Sequence, residues 1–355
     1  MIRQGIEDRM AQLVEKYGEW TYDIPLPHGV WTRGNEGIPH TRLKRVLQIA
    51  RDLSAKPLGF CRILDLGCLD GQFSIEFALT GAEVIGIEIR EANIQKALFA
   101  KEALQLNNLK LIQDDVRNIS RQKHGRFDVI LCSGILYHLN TPDVFAFIES
   151  MYEMSERLLI IDTHISLNPN TSVTHKGETY SGEYWREYSD EDIELAGRKN
   201  LWASWGNPTS FQFTRPALVN FLSRTGFTSV YECFNPAHLN FGKPGLEHRD
   251  RCTFVAINGQ KQNLFTSPAA NDLIENHPEG SLSYELLQEA QYQTHSEQLK
   301  ACNKRVKELK GALEQERRKV QWLRERNRPL QNIKDFRAWN LRERLKHLRA
   351  RVLGG

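Results

Sequence analysis

The segment Arg62–Ser74 constrains the fold more than any other part of the chain, and it reads R-I-L-D-L-G-C-L-D-G-Q-F-S. Its first residues form a short apolar run, which is typical of a strand buried on both faces. Gly67 and Gly71 predict a tight turn, and the apolar spacing from Phe73 onward predicts a helix. This arrangement places backbone N–H groups at the carboxyl edge of a sheet, where open α/β folds bind ligands. Because Gly67 has no Cβ, the main chain there can lie against a ligand.

Strand-like and helix-like segments alternate through most of the chain, which predicts a parallel α/β sheet with right-handed crossovers. The predicted strands are Cys61–Leu66, Glu83–Ile89, Leu109–Gln113, Phe127–Cys132, Leu158–Asp162, Ser229–Phe234 and Cys252–Ile257. A late helix is expected to begin at Thr214, with Pro216 in its first turn, and to end at Gly226.

The glycine turn resembles motif I of the class I S-adenosylmethionine-dependent methyltransferases, whose pattern is D/E-x-G-x-G-x-G. Asp65, Gly67 and Gly71 match this pattern, and Leu69 replaces the middle glycine. A dinucleotide site would instead have G-x-G-x-x-G. The resemblance implies a Rossmann-like, seven-stranded α/β methyltransferase sheet over residues 41–258, ending in a hairpin, with S-adenosylmethionine as cofactor and no metal.

Carboxylates at the predicted strand ends supply the expected cofactor contacts. Glu88 lies about 20 residues past the glycine turn, where acids recur as ribose ligands; a solvated loop acid is the alternative. The resemblance places an adenine-binding acid after the third strand, and there Asp115 is favoured over Asp114. The predicted cofactor-binding residues are Asp65, Gly67, Cys68, Gly71, Glu88, Ile89, Asp115, Val116, Cys132 and Ser133.

The stretch Ser133–Leu139 follows the fourth strand and is expected to face the reacting methyl group. Methyl transfer is an in-line displacement, in which alignment can account for roughly 7–11 kcal/mol of the barrier. A hydroxyl nucleophile must also lose its proton. His138 is the candidate base, with Tyr137 as the second predicted catalytic residue. A purely structural histidine is the alternative.

G-I-L-Y-H-L also resembles the G-V-L-Y-H segment of the bacterial tRNA wobble-uridine carboxymethyltransferase, which uses carboxy-S-adenosylmethionine. This resemblance covers about residues 60–235 and implies tRNA as a rival acceptor. Residues 301–355 hold 17 Lys/Arg against 6 Asp/Glu, so in a chain of net charge +3 the other 300 residues carry −8. RNA recognition would require a basic groove in that acidic part, which argues against nucleic acid.

Two segments outside the sheet pattern are rich in aromatic residues. Residues 1–40 are predicted to form an N-terminal helix followed by a segment that caps the mouth of the active site. A loop laid across the core is the alternative for that segment. The insertion 164–213 suggests a lid over the substrate, and a small accessory core is the alternative. Its aromatic residues include Tyr180, Tyr184, Trp185, Tyr188, Trp202, Trp205 and Phe211.

Beyond a polar linker at 259–283, apolar residues alternate by threes and fours, which predicts a coiled coil over 284–330. A basic amphipathic tail, 331–355, follows it. This layout resembles the bacterial O-antigen chain-terminating methyltransferases, without their kinase domain. We expect self-association through the coiled coil and peripheral contact of the tail with an anionic membrane face. Binding of nucleic acid or of a partner protein by the tail stays open.

The expected function is O-methylation of a sugar, glycan or other small hydroxylated acceptor. The alternatives are a tRNA-modifying enzyme and a non-catalytic scaffold with a methyltransferase fold. No apolar run is long enough to span a membrane, the N-terminus has no signal-peptide pattern, and the six cysteines are scattered without C-x-x-C. We therefore expect a cytoplasmic protein, peripheral at the inner membrane face.

Overall fold

The computed structural model describes residues 2–34, 41–189, 203–233, 251–260, 304–305 and 307–320. The chain divides into two compact units, Met1–Ser281 and Leu282–Gly355. The strands are β1 (Pro25–Leu26), β2 (Val30–Trp31), β3 (Arg62–Leu66), β4 (Glu83–Glu88), β5 (Leu109–Gln113), β6 (Phe127–Ser133), β7 (Ser155–His164), β8 (Thr171–His175), β9 (Glu178–Arg186), β10 (Thr209–Phe213), β11 (Ser229–Cys233) and β12 (Arg251–Ile257). The helices are α1 (Arg3–Tyr17), α2 (Thr41–Leu53), α3 (Gln72–Leu79), α4 (Glu91–Ala103), α5 (Arg121–His124), α6 (Asp143–Met154) and α7 (Arg215–Thr225).

The main sheet has seven strands in the order β11-β12-β7-β6-β3-β4-β5. Strand β12 is antiparallel to both of its neighbours, and the other pairs are parallel. The predicted seven-stranded α/β sheet with a terminal hairpin is thus confirmed. Strand β7 is longer than the predicted Leu158–Asp162 because its pairing with β12 extends to His164.

Strand β3 pairs with β4 on one side and with β6 on the other. The chain runs outward from β3 through β4 to β5, then returns to form β6 on the opposite side of β3. This reversal is a topological switch point, and it leaves a crevice at the carboxyl ends of β3 and β6.

Apolar clusters cover both faces of the sheet. One cluster joins α1–α4 to the sheet and includes Trp20, whose ring lies 6.1 Å from that of Phe99. The other joins α6, α7 and the small sheet of the insertion. Helix α7 begins as predicted, since the Thr214 hydroxyl accepts the Ala217 N–H at 3.3 Å, and it ends at Gly226 with φ +128°.

The insertion forms an antiparallel sheet in the order β10-β9-β8. Tyr180 and Phe211 are buried in an aromatic cluster, with ring centroids 5.5 Å and 6.3 Å from that of Phe145. Tyr184 and Trp185 are exposed. The described part of the insertion is therefore partly an accessory core, and its described aromatic residues do not form one lid. Trp202 lies outside the described residues.

In the second unit, residues 304–305 and 307–320 are helical, and Leu309 and Leu313 are 45% and 51% exposed. The predicted tail, most of the linker and the rest of the predicted coiled coil lie outside the described residues, so these assignments stay predictions. Within the described part of the chain, no helix is both long and apolar enough to span a membrane.

Candidate active site

A cavity of about 200 Å³ opens at the carboxyl ends of β3, β4, β5 and β6. Each of these strands delivers a predicted residue to it, because parallel strands end at the same edge of a sheet. Eight predicted site residues line the cavity: Gly67, Glu88, Ile89, Asp115, Val116, Ser133, Tyr137 and His138.

The loop after β3 is held against β4 by its main chain. The N–H groups of Gly67 and Cys68 both donate to the Ile87 carbonyl, at 2.9 and 3.0 Å. Gly67 has φ +68°, and Leu69, at the position of the missing glycine, has φ +49°. The loop therefore keeps a left-handed backbone at Leu69, at a strain cost of order 1–3 kcal/mol, and Leu69 lines the cavity.

Glu88 is the buried carboxylate at the end of β4. One oxygen accepts the Leu69 N–H at 3.0 Å and the other accepts the Arg90 N–H at 2.8 Å. Burial raises the pKa of this carboxyl, and the two N–H donors and the Arg90 charge oppose that shift. Each oxygen keeps further lone-pair capacity, so Glu88 can accept hydrogen bonds from a vicinal diol.

The two acids after β5 occupy different surroundings. Asp115 lines the cavity and accepts from the Arg117 main chain at 2.9 Å and from its guanidinium at 2.5–3.0 Å. Asp114 instead pairs with Lys123 and Asn118, and these bonds lower its carboxyl pKa. A ligand amino group at Asp115 would therefore share a carboxylate that already holds Arg117.

Four predicted cofactor residues do not line the cavity. Asp65 lies beneath the loop, where it accepts the Ser74 hydroxyl at 2.6 Å, and burial raises its pKa to about 7. Cys68 and Cys132 are buried, and burial raises the pKa of both thiols. Gly71 begins α3, and a Cβ on it would lie 3.0 Å from the Ala97 Cβ. Asp65 thus holds the first turn of α3 through Ser74, whereas Cys132 packs in the apolar cluster beside α6.

Ser133 lies at the end of β6 and lines the cavity. Its buried hydroxyl has no hydrogen-bond partner among the described residues. Buried polar groups are normally hydrogen-bonded, so this hydroxyl is placed to meet a polar group of a bound ligand.

His138 ends a short 3-10 turn, Leu136–His138, after β6. Its Nδ1 lies 2.9 Å from Glu187 Oε1, and both side chains are largely buried. The Tyr137 ring lies between two imidazoles, with its centroid 4.2 Å from that of His138 and 4.6 Å from that of His164. The turn therefore presents a fixed imidazole and a phenol to the same cavity.

Three further cavity residues come from segments far apart in the chain, and only the predicted capping segment, which contains Tyr22, was expected near the site. Tyr22, Arg42 and Arg251 all line the cavity. Arg251 Nε donates to Asp162 Oδ1 at 2.7 Å, and Arg42 Nη1 lies 3.6 Å from the same oxygen. These residues belong to no common motif, and only the fold brings them together.

The N-terminal segment is tied to the glycine loop through Asp70. The Asp70 carboxylate accepts the N–H groups of Thr21 and Tyr22 at 2.5 and 3.0 Å, and burial raises its pKa to about 6. The Lys96 ammonium donates to the Glu19 carbonyl at 2.6 Å. Of the predicted capping segment, Tyr22 thus reaches the cavity, whereas Trp20 lies in the core.

A second covering segment comes from the insertion. Residues 203–205 and 207 line the cavity, and the Arg90 guanidinium donates to the Ala203 carbonyl at 2.5 Å. The same guanidinium lies 5.6 Å from the centroid of the Trp205 ring. Trp205 therefore fits the predicted role of the insertion as a cover, although most of its aromatic neighbours do not.

Residues 60–199 match a family model described as "Methyltransferase domain". This part of the chain is therefore similar to methyltransferase domains. The N-terminal domain of EvdMO1, crystallised in the presence of SAH and D-fucose, has the same fold at a TM-score of 0.54 and 23% identity, over 72% of this chain and 96% of that one.

Curated relatives match this chain over short regions. The Ubiquinone biosynthesis O-methyltransferase of Acinetobacter baylyi is 30% identical over 81 residues, which is 23% of this chain and 34% of the relative. The Putative methyltransferase YqeM of Bacillus subtilis is 30% identical over 141 residues, which is 37% of this chain and 55% of the relative. The chain thus spans about a third to a half of the length of these relatives.

Proposed function

We propose that this chain transfers a methyl group from S-adenosylmethionine to a hydroxyl oxygen of a sugar or another small hydroxylated acceptor. One observation carries the proposal: a single cavity holds the Glu88 carboxylate and the His138 imidazole on opposite sides of β3. The first group suits a ribose diol, and the second suits an acceptor hydroxyl.

The residues present fit the cofactor. Glu88 would hold the two ribose hydroxyls, and Gly67 would let the main chain lie against the ligand. The unpartnered Ser133 hydroxyl would meet a polar group of the methionine portion. When bound, S-adenosylmethionine supplies an electrophilic methyl group on a sulfonium centre.

The role of His138 follows from the chemistry of the acceptor. A neutral hydroxyl is a weak nucleophile, and a positioned base that takes its proton contributes typically ~10²–10⁴-fold to the rate. His138 lines the cavity directly after the strand that carries Ser133. Tyr137 packs against the imidazole and restricts its orientation.

The walls near His138 favour a polar acceptor. Tyr22, Tyr137, Arg42 and Arg251 supply hydroxyl and guanidinium groups there. A long hydrocarbon chain would desolvate these groups without replacing their hydrogen bonds, whereas a sugar offers several hydroxyls. The likeness in fold to a domain crystallised with D-fucose supports testing sugars first.

The test measures transfer of a radiolabelled methyl group from S-adenosylmethionine to a panel of free sugars, nucleotide sugars, simple phenols and tRNA. We expect alkali-stable label on sugars, because methyl ethers resist base and methyl esters do not. His138→Ala should lose ~10²–10⁴-fold in rate while keeping its affinity for S-adenosylmethionine. His175→Ala is the matched control, because His175 also pairs with a glutamate at 2.9 Å but does not line the cavity.

Two outcomes would contradict the proposal. Label found on tRNA and on none of the sugars would favour the tRNA-modifying alternative. Absence of S-adenosylmethionine binding by calorimetry would favour the non-catalytic scaffold.

A further inference from the structure

We propose that Glu187 is a positioning residue, which holds His138 with a proton on Nδ1 and leaves Nε2 as the atom that receives the proton of the acceptor. This inference rests on the proposed function for its role in catalysis. Its structural part, the protonation pattern of His138, can be tested without any acceptor.

The Glu187 carboxylate is surrounded by donors. Its Oε1 lies 2.9 Å from His138 Nδ1 and accepts the Ser210 hydroxyl at 2.9 Å, and its Oε2 accepts the Ser204 N–H at 3.3 Å. The Glu187 side chain is only 6% exposed. A carboxylate offers acceptors only, so the imidazole nitrogen that contacts it must be the one that carries hydrogen.

The choice of tautomer decides what His138 can do. In a neutral imidazole one nitrogen donates and the other accepts, and the hydrogen bond made by one sets the state of the other. With Nδ1–H directed at Glu187, Nε2 keeps its lone pair. Nε2 can then take the proton of an acceptor hydroxyl, and the resulting imidazolium lies beside the carboxylate until that proton passes to solvent.

Further hydrogen bonds of the main chain also hold Glu187 and His138 next to each other. Glu187 directly follows β9, and its N–H donates to the Pro208 carbonyl at 2.9 Å. The Asn207 side chain donates to the His138 carbonyl at 2.9 Å, and the Phe211 N–H donates to the Leu139 carbonyl at 2.8 Å. The insertion is thus joined to the His138 turn by main-chain and side-chain bonds, and Glu187 is the acid that it contributes.

The first experiment is independent of turnover. Nitrogen-15 NMR of the histidines in the full chain should show a protonated Nδ1 and an unprotonated Nε2 for His138 above neutral pH. In Glu187→Gln this preference should weaken or reverse, because the amide can donate to Nδ1 as well as accept from it. An unchanged His138 tautomer in a folded Glu187→Gln protein would overturn the proposal.

The second experiment measures the rate of methyl transfer. Glu187→Gln should lower kcat about 10²-fold, in the range of general-base contributions. Affinity for S-adenosylmethionine should stay within a factor of about 2 of the original. A Glu187→Gln protein with an unchanged kcat would overturn the catalytic role.

Glu149→Gln is the matched control, because Glu149 Oε1 lies 2.9 Å from His175 Nε2 outside the cavity. It should leave kcat and the His138 signals unchanged. If His138→Ala retains full activity while the His138 tautomer depends on Glu187, the proposed base is wrong and the positioning of the imidazole by Glu187 is right. The experiments therefore distinguish a failure of His138 as the base from a failure of Glu187 as the residue that positions it.

Discussion

Replacing Glu88 by glutamine changes the cavity with almost no change in side-chain volume. Each carboxylate oxygen now accepts one main-chain N–H, from Leu69 or from Arg90. In the glutamine one of these acceptors becomes an NH₂ group, so one buried N–H loses its partner, which costs ~1–3 kcal/mol of folding stability. If Glu88 holds the cofactor ribose as proposed, the ribose also loses at least one hydrogen bond to a charged group, worth ~1.5–3 kcal/mol.

The loss of this hydrogen-bond free energy lowers the affinity for the cofactor by a corresponding factor. At about 1.4 kcal/mol per tenfold, we expect Glu88→Gln to raise the Kd for S-adenosylmethionine and for S-adenosylhomocysteine by ~10- to 150-fold. Isothermal titration calorimetry measures the Kd, and a thermal melt separates it from the stability loss. Because both ligands carry the same ribose, the two increases should agree within a factor of about 3.

Glu83→Gln is the matched control. Glu83 begins the same strand, is exposed, and pairs with Arg62 at 3.1 Å at the opposite edge of the sheet. Its loss should leave the Kd unchanged, since exposed pairs contribute only ~0–1 kcal/mol to stability. A folded Glu88→Gln protein that binds both ligands with the original affinity would refute the role of Glu88 in holding the ribose.

The remaining predictions concern stability and assembly. Burial raises the pKa of Asp65 to about 7 from 3.8, so the folded state holds a proton that the unfolded state releases, and the free energy of unfolding falls as pH rises across that range. In urea titrations, Asp65→Asn should remove up to ~4 kcal/mol of this pH dependence. An identical pH dependence in the variant would show that Asp65 is ionised in the folded protein. Gly86→Ala should lower the folding stability of the protein by ~1–3 kcal/mol, because the alanine Cβ would lie 2.7 Å from the Ser74 hydroxyl and 2.9 Å from Leu111 Cδ2. An unchanged melting temperature would contradict this prediction. Leu313→Glu in the predicted coiled coil should lower the molar mass of the full chain in light scattering if self-association uses that seam, and an unchanged oligomer would rule the seam out.

The part of the site that the sequence predicted consists of residues at strand ends. Gly67, Glu88, Asp115 and Ser133 each follow or end a strand whose apolar pattern is clear. Once the strands are known to be parallel, their carboxyl ends must meet at one edge. A local pattern was therefore enough to bring together residues that are far apart in the chain.

Asp65 and Cys132, which do not line the cavity, differ from these residues in their position within the strand. Both residues lie inside strands, where successive side chains point to opposite faces, so a shift of one position moves a side chain from the cavity edge into the core. Asp65 is directed at Ser74, and Cys132 belongs to the apolar cluster beside α6. Sequence spacing does not resolve a difference of one residue.

No pattern in the sequence indicated Glu187 as a residue of the site. It is an acid in an insertion without a motif, and its contact with His138 spans 49 positions. Tyr22 and Arg251 reach the same cavity from opposite ends of the first unit. The path of each segment across the sheet depends on how its apolar side chains pack, and packing is a property of the assembled core.

The sequence by itself determined the sheet, its edge and the carboxylate Glu88 at that edge, because strand periodicity and glycine turns are local properties of the chain. Only the tertiary structure decided which acid holds the imidazole and which segments cover the cavity. Those contacts join segments whose relative positions exist only after the apolar faces have packed together.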